Sequence, residues 1–255
     1  MMTPGQMFDL TGKRALITGG SSGLGLAIAR AFVGAGATVL IASDRADEVA
    51  AAARETGAAG VHAVLGTKAA AETLAAEAET RMGGVDILVS NAGIEGPTTG
   101  ISDLDEAAYM RVFDVNLHAA TWLSAALVPG MAAAGGGSII LMASLSALRG
   151  NRAIAAYSMS KAALAQLARN IAVRYGPDNV RANSIAPGLI ETPFSRPLMA
   201  DDAFMARRMQ ATPLRRVGQP HEIAATALWL ASPGGAFVTG QTIVVDGGTL
   251  IHDGS

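Results

Sequence analysis

Short runs of almost unbroken apolar residues recur along this chain, and each is followed by a longer stretch with helical spacing. The runs are "RALITG" from Arg14, "TVLIAS" from Thr38, "VHAV" from Val61, "DILVSN" from Asp86, "SIILMAS" from Ser138, "VRANSIAP" from Val180 and "TIVVDGG" from Thr242. A strand with one wet face alternates apolar and polar side chains. A strand covered on both faces does not, and buried parallel strands read in this near-continuous way. The segments between them, at 24–33, 44–55, 69–82, 104–131, 153–175 and 221–231, read as helices. Alternation of this kind over the whole length predicts an α/β fold, a doubly wound parallel sheet of about seven strands with helices on both faces.

A chain of 255 residues that is 50% hydrophobic suits one large core. No linker or repeat divides it, so a single domain over 1–255 is expected. The stretch "AAAGGGS" from Ala132 reads as a helix stop and turn. The least regular region follows Pro187 and carries Pro193, Pro197 and Met199, then a short helical pattern at 201–209. An irregular segment of that length is expected to be a substrate flap, at about 188–212. Lys plus Arg number 19 and Asp plus Glu 21, a formal charge of −2, which gives no electrostatic case for nucleic acid or an anionic membrane. Aromatic residues, at 4%, are too sparse for a base-stacking platform. There is no cysteine, hence no disulfide and no thiolate chemistry. The opening "MMTPGQMFDL" lacks the basic and apolar regions of a secretory signal, and no apolar run reaches the roughly 18 residues of a membrane span. The expectation is a cytoplasmic protein.

The first chemical motif is "TGGSSGLG", 18–25, between the first strand and the first helix. Gly19, Gly23 and Gly25 let a phosphate come close to the backbone, and the helix start offers free N–H groups beside Ser21, Ser22 and Leu24. The lysine of a nucleoside triphosphate loop is missing. A tight turn of no further consequence is the plainer reading, but the strand–turn–helix context favours a dinucleotide. Asp44 stands near the distance at which an acid bonds the ribose hydroxyls. Its carboxylate would repel the extra phosphate of NADP, whereas Arg45 would attract it, and NAD is the expected cofactor. Asp44 would also serve as a helix N-cap.

In "AYSMSK", from Ala156, Tyr157 and Lys161 lie four residues apart on one helix face. A phenol titrates near pKa 10 and is a poor base at neutral pH; an adjacent ammonium favours the phenolate. Tyr157 is then a candidate for proton exchange with an alcohol or carbonyl. Ser144 ends a strand, where side chains reach the crevice at the carboxyl edge of the sheet. Spacing alone fits equally well a surface Tyr–Lys pair with Ser144 as a cap.

Taken together, "TGGSSGLG", "NAG" from Asn91, Asn116, Ser144, "YSMSK" and "PGLIET" from Pro187 resemble the classical short-chain dehydrogenase/reductase family, with its Rossmann-type fold, from about Arg14 to Gly248. The resemblance implies reversible hydride transfer between a nicotinamide cofactor and a secondary alcohol or ketone. Tyr157 matches the catalytic acid/base. Lys161 matches the residue that binds the nicotinamide ribose and lowers the tyrosine pKa. Ser144 matches the residue that polarises the substrate oxygen, and Asn116 the support of a water and lysine proton relay. Asn91, Ala92 and Gly93 match the segment that lines the cofactor, and Pro187, Gly188, Ile190 and Thr192 the positions around the carboxamide and pyrophosphate. Relatives that prefer NAD often carry an acid at the place of Ser43; here the acid is one residue later. After the third strand the family's Asp is replaced by Leu65 and Gly66, whose backbone would serve instead. The family also implies a homotetramer built on the two long helices and the C-terminal part.

The substrate wall is expected from 94–98, 145–152 and 189–205, with Ser144, Ser146, Asn151 and Tyr157 as contacts and a small-molecule alcohol or ketone as occupant. Leu148, Phe194, Leu198 and Met199 mix there with Glu95, Arg152 and Arg196. Arg152 suits an anionic substrate, but a solvated surface arginine is the plainer reading. The histidines are scattered; "HEIAA" from His221 lacks the second histidine of a zinc helix, and no metal site is expected. Asp103, Asp105 and Glu106 read as a helix start. Two other functions fit the fold: a dinucleotide-sensing or scaffold protein without chemistry, disfavoured by the intact Asn116, Ser144, Tyr157 and Lys161, and a dehydratase or epimerase, disfavoured by the short chain.

Overall fold

The computed structural model describes residues 2–252, so the expected domain limits of 1 and 255 lie outside the described residues. Seven strands form one parallel sheet: β1 Arg14–Thr18, β2 Thr38–Ser43, β3 Ala59–His62, β4 Ile87–Ser90, β5 Gly137–Met142, β6 Val180–Pro187 and β7 Thr242–Val245. Their order is β3-β2-β1-β4-β5-β6-β7. Between them run α1 Pro4–Met7, α2 Gly23–Gly34, α3 Ala46–Thr56, α4 Lys68–Met82, α5 Glu106–Phe113, α6 Ala119–Ala133, α7 Ala155–Tyr175, α8 Arg196–Met199, α9 Asp202–Gln210 and α10 Pro220–Ala231. This is the doubly wound Rossmann arrangement that the alternation of apolar runs implies.

Neighbouring strand residues serve opposite cores. Leu16, Leu40, Leu88, Ile139 and Leu141 pack against α4, α6 and α7. Ile17, Val39, Ile41, Val89, Ile140 and Met142 pack against α2, α3 and α10. Successive side chains point to opposite faces of a strand, so unbroken apolar runs are what two buried faces require. Each buried Leu or Ile contributes about 1.5–3 kcal/mol, and the strands hold ten.

Helix limits follow local chemistry. Thr67 caps α4 by accepting from the Ala70 N–H, and Gly57 and Gly83 end α3 and α4 in left-handed conformation. Asp105 caps α5 through the Ala108 N–H, whereas Asp103 belongs to a preceding 3-10 turn. Asp44 is not the N-cap of α3; that place is taken by Arg45. The expected helix over 104–131 is instead α5 and α6 joined by one π turn, Asp114–His118. The flap holds two short helices, α8 and α9. Ser195 fastens its start, donating to the Ile190 carbonyl at 2.5 Å. Among the described residues no helix is long and apolar enough to cross a membrane.

Candidate active site

All seven strands run the same way, so their carboxyl ends share one rim. Chain direction across the sheet reverses between β1 and β4, and a crevice opens there. A cavity of about 1120 Å³ follows this rim. It is lined by Gly19, Ser21, Ser22, Gly23 and Leu24 after β1, Asp44 and Arg45 after β2, Leu65 after β3, and Asn91, Ala92 and Gly93 after β4. Ser144, Ser146 and Asn151 follow β5, Tyr157 and Lys161 stand on α7, and Pro187, Gly188, Ile190 and Thr192 end β6. Six loops and one helix thus bring nearly every expected residue together. Gly66 and Asn116 are the two that do not line the cavity.

The β1 end has the form of a phosphate cradle. Gly19 has φ +63°, and a Cβ there would lie 2.8 Å from Asn91 Nδ2. A Cβ at Gly25 would lie 2.2 Å from the Gly19 carbonyl oxygen, so the helix could not approach the loop as it does. Ser22 at the N-cap of α2 makes no side-chain cap bond, which leaves the first-turn N–H groups to a ligand. Asn91 closes the crevice floor: its Nδ2 donates to the Thr18 and Gly19 carbonyls at 3.0 and 3.2 Å. Its own N–H donates to Thr18 Oγ1 at 3.0 Å. These features fit the pyrophosphate and adjoining sugar of a dinucleotide.

Arg45 is less free there than its position suggests. It pairs with Glu48 at 2.6 Å and donates to Ser22 Oγ at 3.1 Å. Ser21 donates to Ser43 Oγ at 2.9 Å. Leu65 lines the cavity, whereas Gly66 does not and lies against Arg111, whose Nη1 would be 2.7 Å from an added Cβ.

At the other end, Ser144 lies close enough to the Tyr157 hydroxyl to favour its phenolate. Ser144 also accepts from the Ser146 N–H at 3.1 Å, so it is both a cap and a partner of the phenol. Lys161, 3% exposed, donates to the Met142 carbonyl at 2.7 Å, with its ammonium 5.6 Å from the Tyr157 ring centre. Burial pushes the Lys161 pKa down to about 8. Burial pushes Tyr157 up to about 12; the Ser144 hydrogen bond opposes this and the Glu95 carboxylate adds to it. The sequence expectation was a phenol drawn down by the lysine. Here desolvation of the phenolate is the largest influence on Tyr157 and moves its pKa the other way.

Asn116 sits behind these groups, 1% exposed, in the π turn. Its Oδ1 accepts from the Ile94 N–H at 2.8 Å, and its Nδ2 donates to the Ile94 carbonyl and to Ser160 Oγ, both at 3.0 Å. Ser160 in turn donates to the Tyr157 carbonyl at 2.8 Å. The amide is thus fully engaged in fixing the segment after β4 and the first turns of α7. It does not line the cavity, and it stands behind Lys161: a Cβ built at Gly93 would lie 3.1 Å from both Asn116 Oδ1 and Lys161 Nζ.

The expected wall segments contribute Glu95, Arg152, Phe194 and Leu198, while Leu148, Met199 and Arg196 do not line the cavity. Phe194 lies 6.3 Å from Tyr157, centre to centre. Sequence reasoning missed Arg111 on α5 and Arg207 and Arg208 on α9. The adjacent arginines in "FMARRMQ" were the available signal, since that helix belongs to the expected flap. Among the described residues no group of three or more His, Asp or Glu side chains is placed to hold a metal ion.

A family model described as enoyl-(acyl carrier protein) reductase matches residues 19–249. Dehydrogenase/reductase SDR family member 4 of Bos taurus is 37% identical over 248 residues, covering 95% of this chain and 89% of the relative. A solved 7α-hydroxysteroid dehydrogenase, complexed with NADH and 7-oxo glycochenodeoxycholic acid, superposes with a TM-score of 0.91 at 35% identity, covering 97% of this chain and 98% of the other. A gluconate 5-dehydrogenase from Burkholderia cenocepacia, in complex with NADP and tartrate, does so with 0.90 at 34% identity and the same coverage.

Proposed function

The chain belongs to the short-chain dehydrogenase/reductase family, and from that premise we propose that Tyr157, Ser144 and Lys161 carry its reaction and that NAD is its preferred cofactor. Its activity is that of an NAD(P)-dependent oxidoreductase acting on CH–OH groups. When bound, the nicotinamide supplies the hydride acceptor or donor. The residues do the rest. Ser144 Oγ holds the substrate oxygen beside the Tyr157 hydroxyl. In reduction Tyr157 gives its proton to the oxygen as the carbonyl carbon is reduced; in oxidation its phenolate takes the hydroxyl proton. Lys161 would hold the sugar hydroxyls of the cofactor and, as an ammonium, favour the phenolate of Tyr157. Asn116 acts through others, as a positioning residue for Ile94 and Ser160. The observation that carries this reading is that Tyr157, Ser144 and Lys161 line one crevice at the β1–β4 reversal, with Ser144 close enough to the phenol to act on its proton.

The NAD preference rests on the far end of the cavity. Asp44 lines that end, where its carboxylate would repel a 2′-phosphate, and Arg45, which would attract one, is paired with Glu48. The neighbours with NADH and with NADP represent both options within this fold. We read the chain as one dinucleotide-binding domain with its flap at 188–212, acting in the cytoplasm on a small-molecule alcohol or ketone, as a homotetramer. Exposed apolar side chains support the assembly: Val173 on α7, and Phe237, Val244 and Ile251 toward the C-terminus.

The test is a screen of alcohols and ketones with both cofactors, followed at the nicotinamide absorbance, on the native chain and on Tyr157→Phe. Turnover at least tenfold more efficient with NAD than with NADP, lost by two orders of magnitude or more in Tyr157→Phe with cofactor binding retained, is the expected result. A variant as active as the native chain removes the role given to Tyr157, and equal efficiency with the two cofactors removes the NAD preference.

A further inference from the structure

The cavity carries a group of arginines without counter-ions. Arg149 and Arg152 come from the loop after β5, Arg207 and Arg208 from α9, and all four line the cavity. Among the described residues, Arg14, Arg30, Arg45, Arg81 and Arg216 each pair with a carboxylate. None of the four cavity arginines does, and none of their guanidinium groups donates a hydrogen bond to the described protein. Arg208 is half-buried, with its guanidinium 5.4 Å from the Phe204 ring centre. Arg149 is near enough that its charge, after burial, further lowers the Arg208 pKa. A half-buried cation with an exposed one of like sign beside it, both lining the cavity and neither paired with an acid, leaves a charge that a bound anion would relieve. The planar guanidinium fork matches the two oxygens of a carboxylate or phosphate.

The opposite sign stands at the reaction centre. Glu95 lines the cavity close enough to Tyr157 to raise its pKa. An anion next to the reacting carbon would meet that carboxylate; an anion held away from it would not.

We infer that the substrate is a secondary alcohol or ketone bearing an oxyanion group, a carboxylate or phosphate, separated from the reacting carbon by a spacer and held by Arg149 and Arg208, with Arg152 and Arg207 beside them. The inference rests on the reading that Tyr157 marks the reacting end. It names the substrate class and assigns the two flanking segments their part in choosing it.

Two measurements test it. The first compares kcat/KM for straight-chain methyl ketones ending in a carboxylate, from 4-oxopentanoate to 8-oxononanoate, with their methyl esters. The acid-to-ester ratio is expected to exceed about ten for the longer members and to fall toward one in Arg149→Gln/Arg208→Gln, a tenfold preference being about 1.4 kcal/mol. Arg149→Lys, which keeps the charge at an exposed position, should retain much of the ratio. A ratio of one or less in the native chain, or one that survives in the double variant, overturns the inference. The second measures binding of hexanoate, hexyl phosphate and hexanol to the cofactor-saturated protein by calorimetry. Tighter binding of either anion than of the alcohol, lost in the double variant, supports the inference and tells carboxylate from phosphate; equal binding overturns it. If the anions bind through these arginines while no ketone or alcohol is turned over with either cofactor, the anion site stands and the hydride-transfer reading is the part that fails.

Discussion

Tyr157 and Lys161 stand one helical turn apart, and burial moves them in opposite senses, the phenol up to about 12 and the ammonium down to about 8. Both shifts favour the neutral form, because the low-polarity surroundings penalise either charge. The sequence carries the pairing but not this environment: a spacing of four residues says that two groups can meet, whereas their desolvation depends on Met142, Ser144 and Phe194 arriving from β5 and the flap. For stability the sign is definite. Lys161 has a pKa of about 8 when folded against 10.5 otherwise, so between those values the unfolded chain binds more protons and stability rises with pH. The full difference amounts to about 3 kcal/mol against folding at neutral pH. In urea titrations, the native chain should therefore gain about 2 kcal/mol on Lys161→Met between pH 8 and pH 10. The opposing effect of Tyr157 begins above pH 10, where its raised pKa makes the folded state lose stability. A gap between the two proteins that does not change with pH would show that Lys161 is not buried as described.

The elements show where periodicity succeeds and where it fails. Strands β1, β2, β5 and β6 begin within a residue of their apolar runs, and α7 and α10 lie within two residues of the expected limits, because apolar spacing reports directly on burial. The π turn left no such trace. Five residues, Asp114–His118, interrupt a helix whose polar and apolar pattern continues through them. What holds the turn in place is a contact far away in sequence, the Asn116 amide against Ile94 and Ser160. Such π turns often accompany functional sites. Asn116→Leu should leave the Ile94 N–H and carbonyl without their partner. At about 1–3 kcal/mol for each buried unsatisfied group, denaturant melts should report a loss of roughly 2–4 kcal/mol. Cofactor affinity measured by titration should fall as well, since the segment after β4 lines the cavity. A variant as stable as the native chain would mean that the turn does not depend on this amide. Placement of Asn116 in the helix was legible; its withdrawal from the cavity was not, since a helical position alone does not say which of several neighbours a side chain will bond.

At the scale of the whole molecule, the layered sheet was legible because two buried faces leave a strong mark on every central strand. The partnership of copies leaves a weaker one. Among the described residues only one side of β7 is paired, and its burial is partial. Phe237, fully exposed, and Val173, 83% exposed, lie on adjoining stretches, for Gly240 packs against Ala172. Burying two such side chains in a partner contributes about 1.5–3 kcal/mol each. Light scattering should accordingly find a particle of about four chains, and Phe237→Asp should shift it to smaller species at micromolar concentration. A native chain that scatters as a monomer would refute the assembly. The parallel sheet has one more bearing on use. Every segment around the cavity leaves from the same rim, while the turns at 12–13, 84–86 and 135–136 lead into strands from the other. A surface tether or reporter attached at those turns would leave the chemistry facing open solution, so the molecule comes with its own handle and its own business end.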